Sequence, residues 1–466
     1  MKNVALHNLG CKVNSYELDV VQQMLQENGY NIVSFDEKAD IYIVNTCTVT
    51  NMADRKSRQM LHRAKTLNPD SVVIAIGCYV QTGKEDVVLD ESIDLAIGNN
   101  RKKDIVTIIE SYLKEKGLLQ APVKVDKTLN NTTIIDVNNT YEYEEMTLKK
   151  TAEHTRAYIK IQDGCNQFCS YCIIPYARGR VRSRRWEDIR SEVEGLVAAG
   201  YKEIVLTGIH ISSYGIDFEE EAWKTGESKE VLKSEGRHDY SGNSKLIDLI
   251  ERIHEIPGLK RIRIGSLEPR IVTDEFAKRL ASLERVCPHF HLSLQSGCDA
   301  TLKRMNRHYS AKEYKESVAI LREAFGRPAI TTDVIVGFPQ ETEEEFAETK
   351  AFLEQIGFFE MHIFKYSKRK GTIAAGMPGQ VPDSVKTERS NELLILEKEQ
   401  SKEFRRVYLG KEVSVLFEET KKIQGKSYQL GHTVDYVKVA VETEEDLVNQ
   451  IRTVPVRGFL TSDILI

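Results

Sequence analysis

Strand and helix patterns alternate along most of this chain, and that alternation limits the fold more than any other feature. Strands joined by helices run parallel, because a parallel pair needs a crossover and an amphipathic helix supplies one. Val4 to Leu9 reads as a strand and residues 14–28 as a helix with Leu18, Val21 and Leu25 on one face. Asn14 and Glu17 have the spacing of a capping box, and Gly29 is placed to stop the helix. Ile41 to Thr46 and Ser71 to Ile76 are further apolar strands, separated by a helical stretch from about Asp54 to Thr66. Residues 1–121 are therefore expected to form an α/β domain with a parallel sheet.

Residues 122–150 are polar and rich in Asn, Thr and acidic side chains, and read as a linker. A second alternating series follows, with strands expected at 157–162, 203–207, 261–265, 290–294, 330–336 and 361–366. Helical patterns such as 187–199 and 343–356 separate them. Six units predict a partial (βα)6 barrel over 151–385, with reactive groups at the C-terminal ends of its strands. The charged stretch 216–244 reads as a surface insertion. The tail, 386–466, opens as a charged helix. It then alternates with period two at Val413, Val415 and Phe417 and at Val437, Val439 and Val441, which predicts a small antiparallel β-barrel or sandwich.

The chain has 466 residues and carries a net charge of −5, which excludes a nucleic-acid binder that is basic all over but not one with a local basic face. No signal peptide is evident at the N-terminus, and the longest apolar run, Val72 to Ile76, is far short of a membrane span. A cytoplasmic protein without membrane attachment is expected. In that compartment eight cysteines call for metal or redox chemistry rather than disulfides.

Cys165, Cys169 and Cys172 have the spacing CxxxCxxC on a loop directly after a predicted strand. Three thiolates are one short of a closed zinc or iron–sulfur site. A cubane held by three cysteines keeps one iron open for the amine and carboxylate of a ligand such as S-adenosylmethionine. An electron passed into the sulfonium would then release a 5′-deoxyadenosyl radical. A zinc site with a distant fourth ligand, or three unrelated cysteines, are the bland readings. Polar or permissive residues at the other strand ends are candidate cofactor contacts: Thr207 and Gly208, Ser266 and Glu268, Ser293 and Gln295, and Val336 and Gly337. Cys11, Cys47 and Cys78 each end or follow a strand of the first series, where open α/β sheets place ligands. They read as a second three-cysteine cluster site, with three buried small residues as the alternative. Cys287 and Cys298 read as packing residues.

These blocks resemble the methylthiotransferases of the radical S-adenosylmethionine superfamily: LGCKVNSYE (9–17), NTCTVT (45–50), GCYVQ (77–81), GCNQFCSYCIIPYARG (164–179), LTGIHISSYG (206–215), HLSLQSGCDATLKRMNRHY (291–309) and DVIVGFPQET (333–342). The resemblance covers nearly the whole chain, and the tail looks like a TRAM domain, a small RNA-associated β-barrel. It implies a radical-generating 4Fe–4S cluster on Cys165, Cys169 and Cys172. It also implies an auxiliary 4Fe–4S cluster on Cys11, Cys47 and Cys78 that carries the sulfur to be transferred. S-adenosylmethionine, tRNA and an electron donor such as flavodoxin or ferredoxin are the implied partners; the sulfur donor is not legible. The wording GCKVN, NTCTVT and GCYVQ is similar to the branch converting N6-threonylcarbamoyladenosine to its 2-methylthio derivative at tRNA position 37. Branches acting on isopentenyladenosine or on a ribosomal-protein aspartate are the alternatives, and a non-catalytic iron–sulfur RNA-binding or sensor protein is the rival from another class.

Arg178, Arg180, Arg182, Arg184 and Arg185 place five guanidinium groups just after the cluster loop. They are suited to phosphate or cofactor carboxylate, with an internally salt-bridged face as the alternative. Lys411, Lys438, Arg452 and Arg457 are the basic residues of the tail that could track a nucleic-acid backbone.

Overall fold

The computed structural model describes residues 2–118, 132–150, 155–218 and 243–466. Most of the charged insertion and part of the linker lie outside the described residues. Six strands form the N-terminal sheet: β1 (Asn3–Asn8), β2 (Asn31–Val33), β3 (Ile41–Thr46), β4 (Val72–Gly77), β5 (Leu95–Ile97) and β6 (Thr132–Thr133). They are all parallel, in the order β2-β1-β3-β4-β5-β6. β3 and β4 are buried along their whole length, as a sheet covered on both faces requires. The short strands β2, β5 and β6 escaped the sequence reading because each is only two or three residues long and carries no periodic signal.

The helix after β1 begins at Lys12, two residues earlier than expected, and Cys11 is its cap without any side-chain cap bond. Asn14 and Glu17 are therefore not a capping box. Both are buried, and Glu17 is the centre of an ion-pair cluster described below. Gly29 does follow the helix, with a positive φ of 81°.

The second series forms two three-stranded parallel sheets. One holds β7 (Ala157–Lys160), β10 (Glu203–Thr207) and β11 (Arg261–Ile264); the other holds β12 (His289–His291), β13 (Ala329–Val336) and β14 (Glu360–Lys365). Parallel bridges Ile262–Val286 and Leu267–Leu292 join them, so the six strands make one open barrel wall. Helices such as Trp186–Ala198, Ala311–Phe325 and Glu343–Ile356 cover its outside, and one apolar core runs beneath them. A two-residue antiparallel ladder, β8 (Gln162–Asp163) with β9 (Arg182–Ser183), gathers in the loop between them.

The long helix Asp383–Arg406 leads to an antiparallel sheet of β15 (Glu412–Ile423), β16 (Lys426–His432), β17 (Lys438–Glu442) and β18 (Ile451–Pro455), in the order β17-β16-β15-β18. A bulge between Phe417 and Glu419 bends β15, and bridges Val439–Leu465 and Phe459–Leu465 fold the end of the chain onto it. Val415 and Phe417 share one apolar cluster, as the alternation predicts, while Leu416 between them is buried on the opposite face. Phe417, Val437 and Val439 pack against Ala329, Phe359 and Phe404, joining this sheet to the N-terminal ends of the barrel strands. Among the described residues no helix is long and apolar enough to cross a membrane.

Candidate active site

Cys11 follows β1, Cys47 directly follows β3 and Cys78 directly follows β4, and these strands are neighbours. The register levels their ends: Asn8 pairs with Asn45, and Thr46 with Gly77. Gly10 makes the close approach possible. At its φ of 114° a Cβ would stand 3.1 Å from Cys47 Cβ and 3.2 Å from its Sγ. Asn99 Nδ2 lies 3.5 Å from Cys78 Sγ, and Asn14 Oδ1 3.9 Å from Cys11 Sγ. Burial pushes the Cys47 thiol up to about 11, with Cys78 and Cys11 adding to the rise. Burial also raises Cys11; Arg178 opposes it and Cys78 adds to it. The three thiols thus feel one another. Cys11 nevertheless has exposed surface although it lies deep among protein atoms, so it borders a recess that solvent enters.

The second trio sits on the loop that β8 and β9 clasp. Gly164 is indispensable there: at φ 71° a Cβ would fall 1.8 Å from the Arg180 carbonyl oxygen. Cys165 N donates to Gly179 O at 3.0 Å and Cys172 N to Cys169 O at 2.9 Å. Asn306 Nδ2 donates to Phe168 O at 3.0 Å, and Ser170 N to Met305 O at 2.9 Å, which ties the loop to the chain after β12. Burial pushes Cys165 up to about 12 and raises Cys172 further, with Cys169 the next cause in both.

Both trios fit an iron–sulfur cluster better than a single ion. Among the described residues, the only three His, Cys, Asp or Glu whose ligand atoms all lie within 4.8 Å of one another are elsewhere. Ligands of one tetrahedral zinc stand only about 3.8 Å apart. Three soft sulfur donors around a wider opening match a cubane with one iron left open.

The strand-end residues divide into two kinds. Gly208 approaches the loop strand closely, since a Cβ there would meet Gln162 O and Oε1 at 2.9 Å. Thr207 O accepts from Ile161 N. Ser266 is exposed, whereas Glu268 is buried, receives Arg270 Nε at 2.8 Å, and keeps its second oxygen buried without a hydrogen bond. Gln295 has a φ of 72°, unusual for a residue with a side chain, and its backbone pairs across to β13 on both sides. Ser293 O accepts from Tyr309 Oη. Val336 is different: its side chain lies in the apolar core and its carbonyl accepts from Tyr366 N. Gly337 is explained by packing, because a Cβ there would stand 2.2 Å from Lys386 Cγ.

The arginine run does not present five free cations. Arg178, Arg182 and Arg184 are buried and paired. Arg178 Nη1 reaches Glu17 at 2.8 Å and Asp163 at 3.1 Å. Arg182 pairs with Asp163 at 3.6 Å, and Arg184 with Glu192 and with Glu145 at 3.0 Å. Glu17 also holds Lys102 at 2.5 Å and Lys160 at 2.7 Å. Burial alone would raise the Glu17 carboxyl, yet Arg178, Lys102 and Lys160 hold it well below the usual range. This cluster joins the helix after β1 to the barrel, so it sets one cysteine trio against the other. Arg180 lies 4.6 Å over the Phe168 ring and Arg185 4.6 Å over Phe218.

Sequence reasoning passed over Arg307. It is buried, with Nη1 3.3 Å from Cys169 Sγ and its guanidinium 4.8 Å over Tyr309. It lies in the quoted block 291–309, but nothing in that block shows that its partner is Cys169, which is 138 residues away in sequence. Cys287 and Cys298 are buried, as expected.

A parallel open barrel whose first strand feeds a three-cysteine loop is the architecture of a radical S-adenosylmethionine enzyme, and a model of the radical SAM superfamily matches residues 159–353. A model described as uncharacterized protein family UPF0004 matches residues 3–98. Among solved structures, the radical S-adenosylmethionine methyltransferase TsrM from Kitasatospora setae shares the fold with a TM-score of 0.50. That match covers 78% of this chain and 73% of that one at 15% identity. The threonylcarbamoyladenosine tRNA methylthiotransferase MtaB of Bacillus subtilis is 38% identical over 97% of this chain and 93% of its own. Its namesake in Aquifex aeolicus is 37% identical over 91% and 95%. The tRNA-2-methylthio-N(6)-dimethylallyladenosine synthase of Acetivibrio thermocellus is 33% identical over 99% and 89%. This chain belongs to the radical S-adenosylmethionine methylthiotransferase family.

Proposed function

We propose that this chain converts N6-threonylcarbamoyladenosine at position 37 of tRNA to its 2-methylthio derivative in the cytoplasm, drawing electrons from a donor such as a flavodoxin or ferredoxin. Near-full-length identity to two MtaB proteins carries the reading. The two cysteine trios agree with it. We assign residues 1–121 the auxiliary cluster, on Cys11, Cys47 and Cys78, and residues 151–385 the radical-generating cluster, on Cys165, Cys169 and Cys172. When bound, the clusters and S-adenosylmethionine supply one-electron cleavage of a carbon–sulfur bond and the sulfur to be transferred.

The chain's own residues bind, orient and insulate. Arg307 lays positive charge beside Cys169, where it offsets the negative charge that ligating thiolates bring. Arg178 does the same toward Cys11 and Cys78. Asn306 and the β8–β9 clasp fix the loop, and Gly208 with Glu268 lines the strand ends where a cofactor's polar groups would sit. Val49 and Met52, just after Cys47, and Tyr176, just after Cys172, are exposed side chains of the kind on which an unstacked base can rest. Arg180, half-buried over Phe168, and Arg185, exposed over Phe218, are the members of the run nearest solvent.

Nucleosides from tRNA of a strain lacking the gene, with and without complementation, test the reading by mass spectrometry. Loss and restoration of 2-methylthio-N6-threonylcarbamoyladenosine is expected. Loss of the dimethylallyl product instead would move the chain to the other tRNA branch, and an unchanged profile would point to a protein target.

A further inference from the structure

His291, Asp333 and His362 form a cluster that neither cysteine trio uses. They come from three adjacent parallel strands, β12, β13 and β14. His291 is paired in register with Thr331, and Asp333 with His362. Ile330, Val334 and Val336 of β13 belong to the core under the covering helices, so Thr331 and Asp333 point to the barrel's inner face. One ligand atom from each of the three residues lies within 4.8 Å of the other two. His291 Nδ1 is 3.0 Å from Thr331 Oγ1. With Nδ1–H donating to that hydroxyl, Nε2 keeps its lone pair, as in a metal-ligating histidine held by an outer partner. Asp333 Oδ2 stands 3.4 Å from Nε2, a separation equal to the roughly 3.4 Å edge between N and O ligands of one tetrahedral zinc. The rings of His291 and His362 are stacked at 28° with centroids 6.0 Å apart, flanking the carboxylate.

We propose that His291, Asp333 and His362 bind a divalent transition-metal ion through two imidazoles and one carboxylate. Two nitrogens and one oxygen select a first-row ion such as zinc or ferrous iron over calcium or magnesium. Three protein ligands leave a coordination position open, and it faces the barrel interior. The ligand such a position takes is an oxygen donor, a carboxylate or carbonyl. This role, unlike the ion site itself, rests on the tRNA reading above, since the threonylcarbamoyl group carries a carboxylate.

The test uses holoenzyme with both clusters in place. It is incubated anaerobically with zinc and desalted, and the retained zinc is measured by elemental mass spectrometry for wild type, Asp333→Asn and His362→Ala. Wild type is expected to keep roughly one zinc per chain, with affinity lowered at least tenfold in each variant and iron content unchanged. His362 is exposed, so its replacement leaves folding intact. In wild-type crystals, zinc-edge anomalous scattering should place the ion between the three side chains. Equal zinc in all three proteins, or an anomalous peak anywhere else, overturns the site. Methylthiolated nucleoside is measured in the same preparations. Wild-type product without zinc binding rejects the ion alone, whereas zinc binding without tRNA product rejects the tRNA reading alone.

Discussion

The two cysteine trios reach the same arrangement by opposite means. Cys165, Cys169 and Cys172 lie within eight residues on one loop, shaped by a two-rung ladder and one glycine and tied to the chain after β12 by Asn306 and Ser170. Cys11, Cys47 and Cys78 are separated by 36 and 31 residues and meet only because β1, β3 and β4 are neighbours with level ends. The spacing of one site is set by local chain, that of the other by a folded sheet. The first should therefore survive damage to the second. The largest expected effect follows from that. Cys165→Ala abolishes formation of both 5′-deoxyadenosine and product. Cys47→Ala retains 5′-deoxyadenosine formation and loses methylthiolated nucleoside. Chromatography of one reaction mixture reads both.

Next in size is damage to the charge cluster that joins the sites. Glu17→Gln leaves Arg178, Lys102 and Lys160 buried without their shared anion, and a broken buried pair costs about 3–5 kcal/mol. A lowered midpoint of thermal or denaturant unfolding, with loss of iron from the sheet trio first, is expected; an unchanged midpoint would show the cluster to be dispensable. The pH dependence has a definite sign. The folded carboxyl of Glu17 titrates below its ordinary value of 4.5. Its contribution is therefore present above about pH 4.5 and is lost as pH falls through the lowered folded value. Glu17→Gln should flatten the acid limb of the stability curve.

A smaller and more local effect is expected at Arg307. Removing charge beside a cluster ligand costs about 10–100-fold in activity or affinity. Arg307→Met should shift the electron paramagnetic resonance signal of the loop cluster and leave the auxiliary one unaltered. A shift in both signals would mean that the sites are not electronically separate. The smallest effect belongs to Arg190→Ala. The exposed Arg190–Glu194 pair is screened by solvent and should leave stability and activity unchanged, so this variant controls for the loss of an arginine as such.

The same contrast explains what was legible in sequence. CxxxCxxC announces itself because its geometry is local, and the parallel alternation that frames it is a periodic signal. The sheet trio could be inferred only after the strands had been placed, and strands β2, β5 and β6 were too short to see. Asn14 and Glu17 matched a capping box because sequence spacing cannot tell a cap from a buried anion; Cys11 proved to be the cap. Arg178, Arg182 and Arg184 looked like phosphate ligands for the same reason, since their partners Glu17, Asp163 and Glu192 are brought to them by tertiary structure. His291, Arg307 and Asp333 lie inside blocks that carry the family resemblance, but their partners Cys169, Thr331 and His362 are brought to them only by tertiary structure.

Two separate trios each hold a cluster in this chain's proposed chemistry. This assignment is tested most directly by iron content and Mössbauer spectra of the Cys11→Ala, Cys47→Ala, Cys78→Ala triple variant beside wild type. Half the wild-type iron, with the spectrum of a 4Fe–4S cluster that still responds to added S-adenosylmethionine, is the predicted result. Full iron content, or loss of all iron from a folded protein, would contradict it.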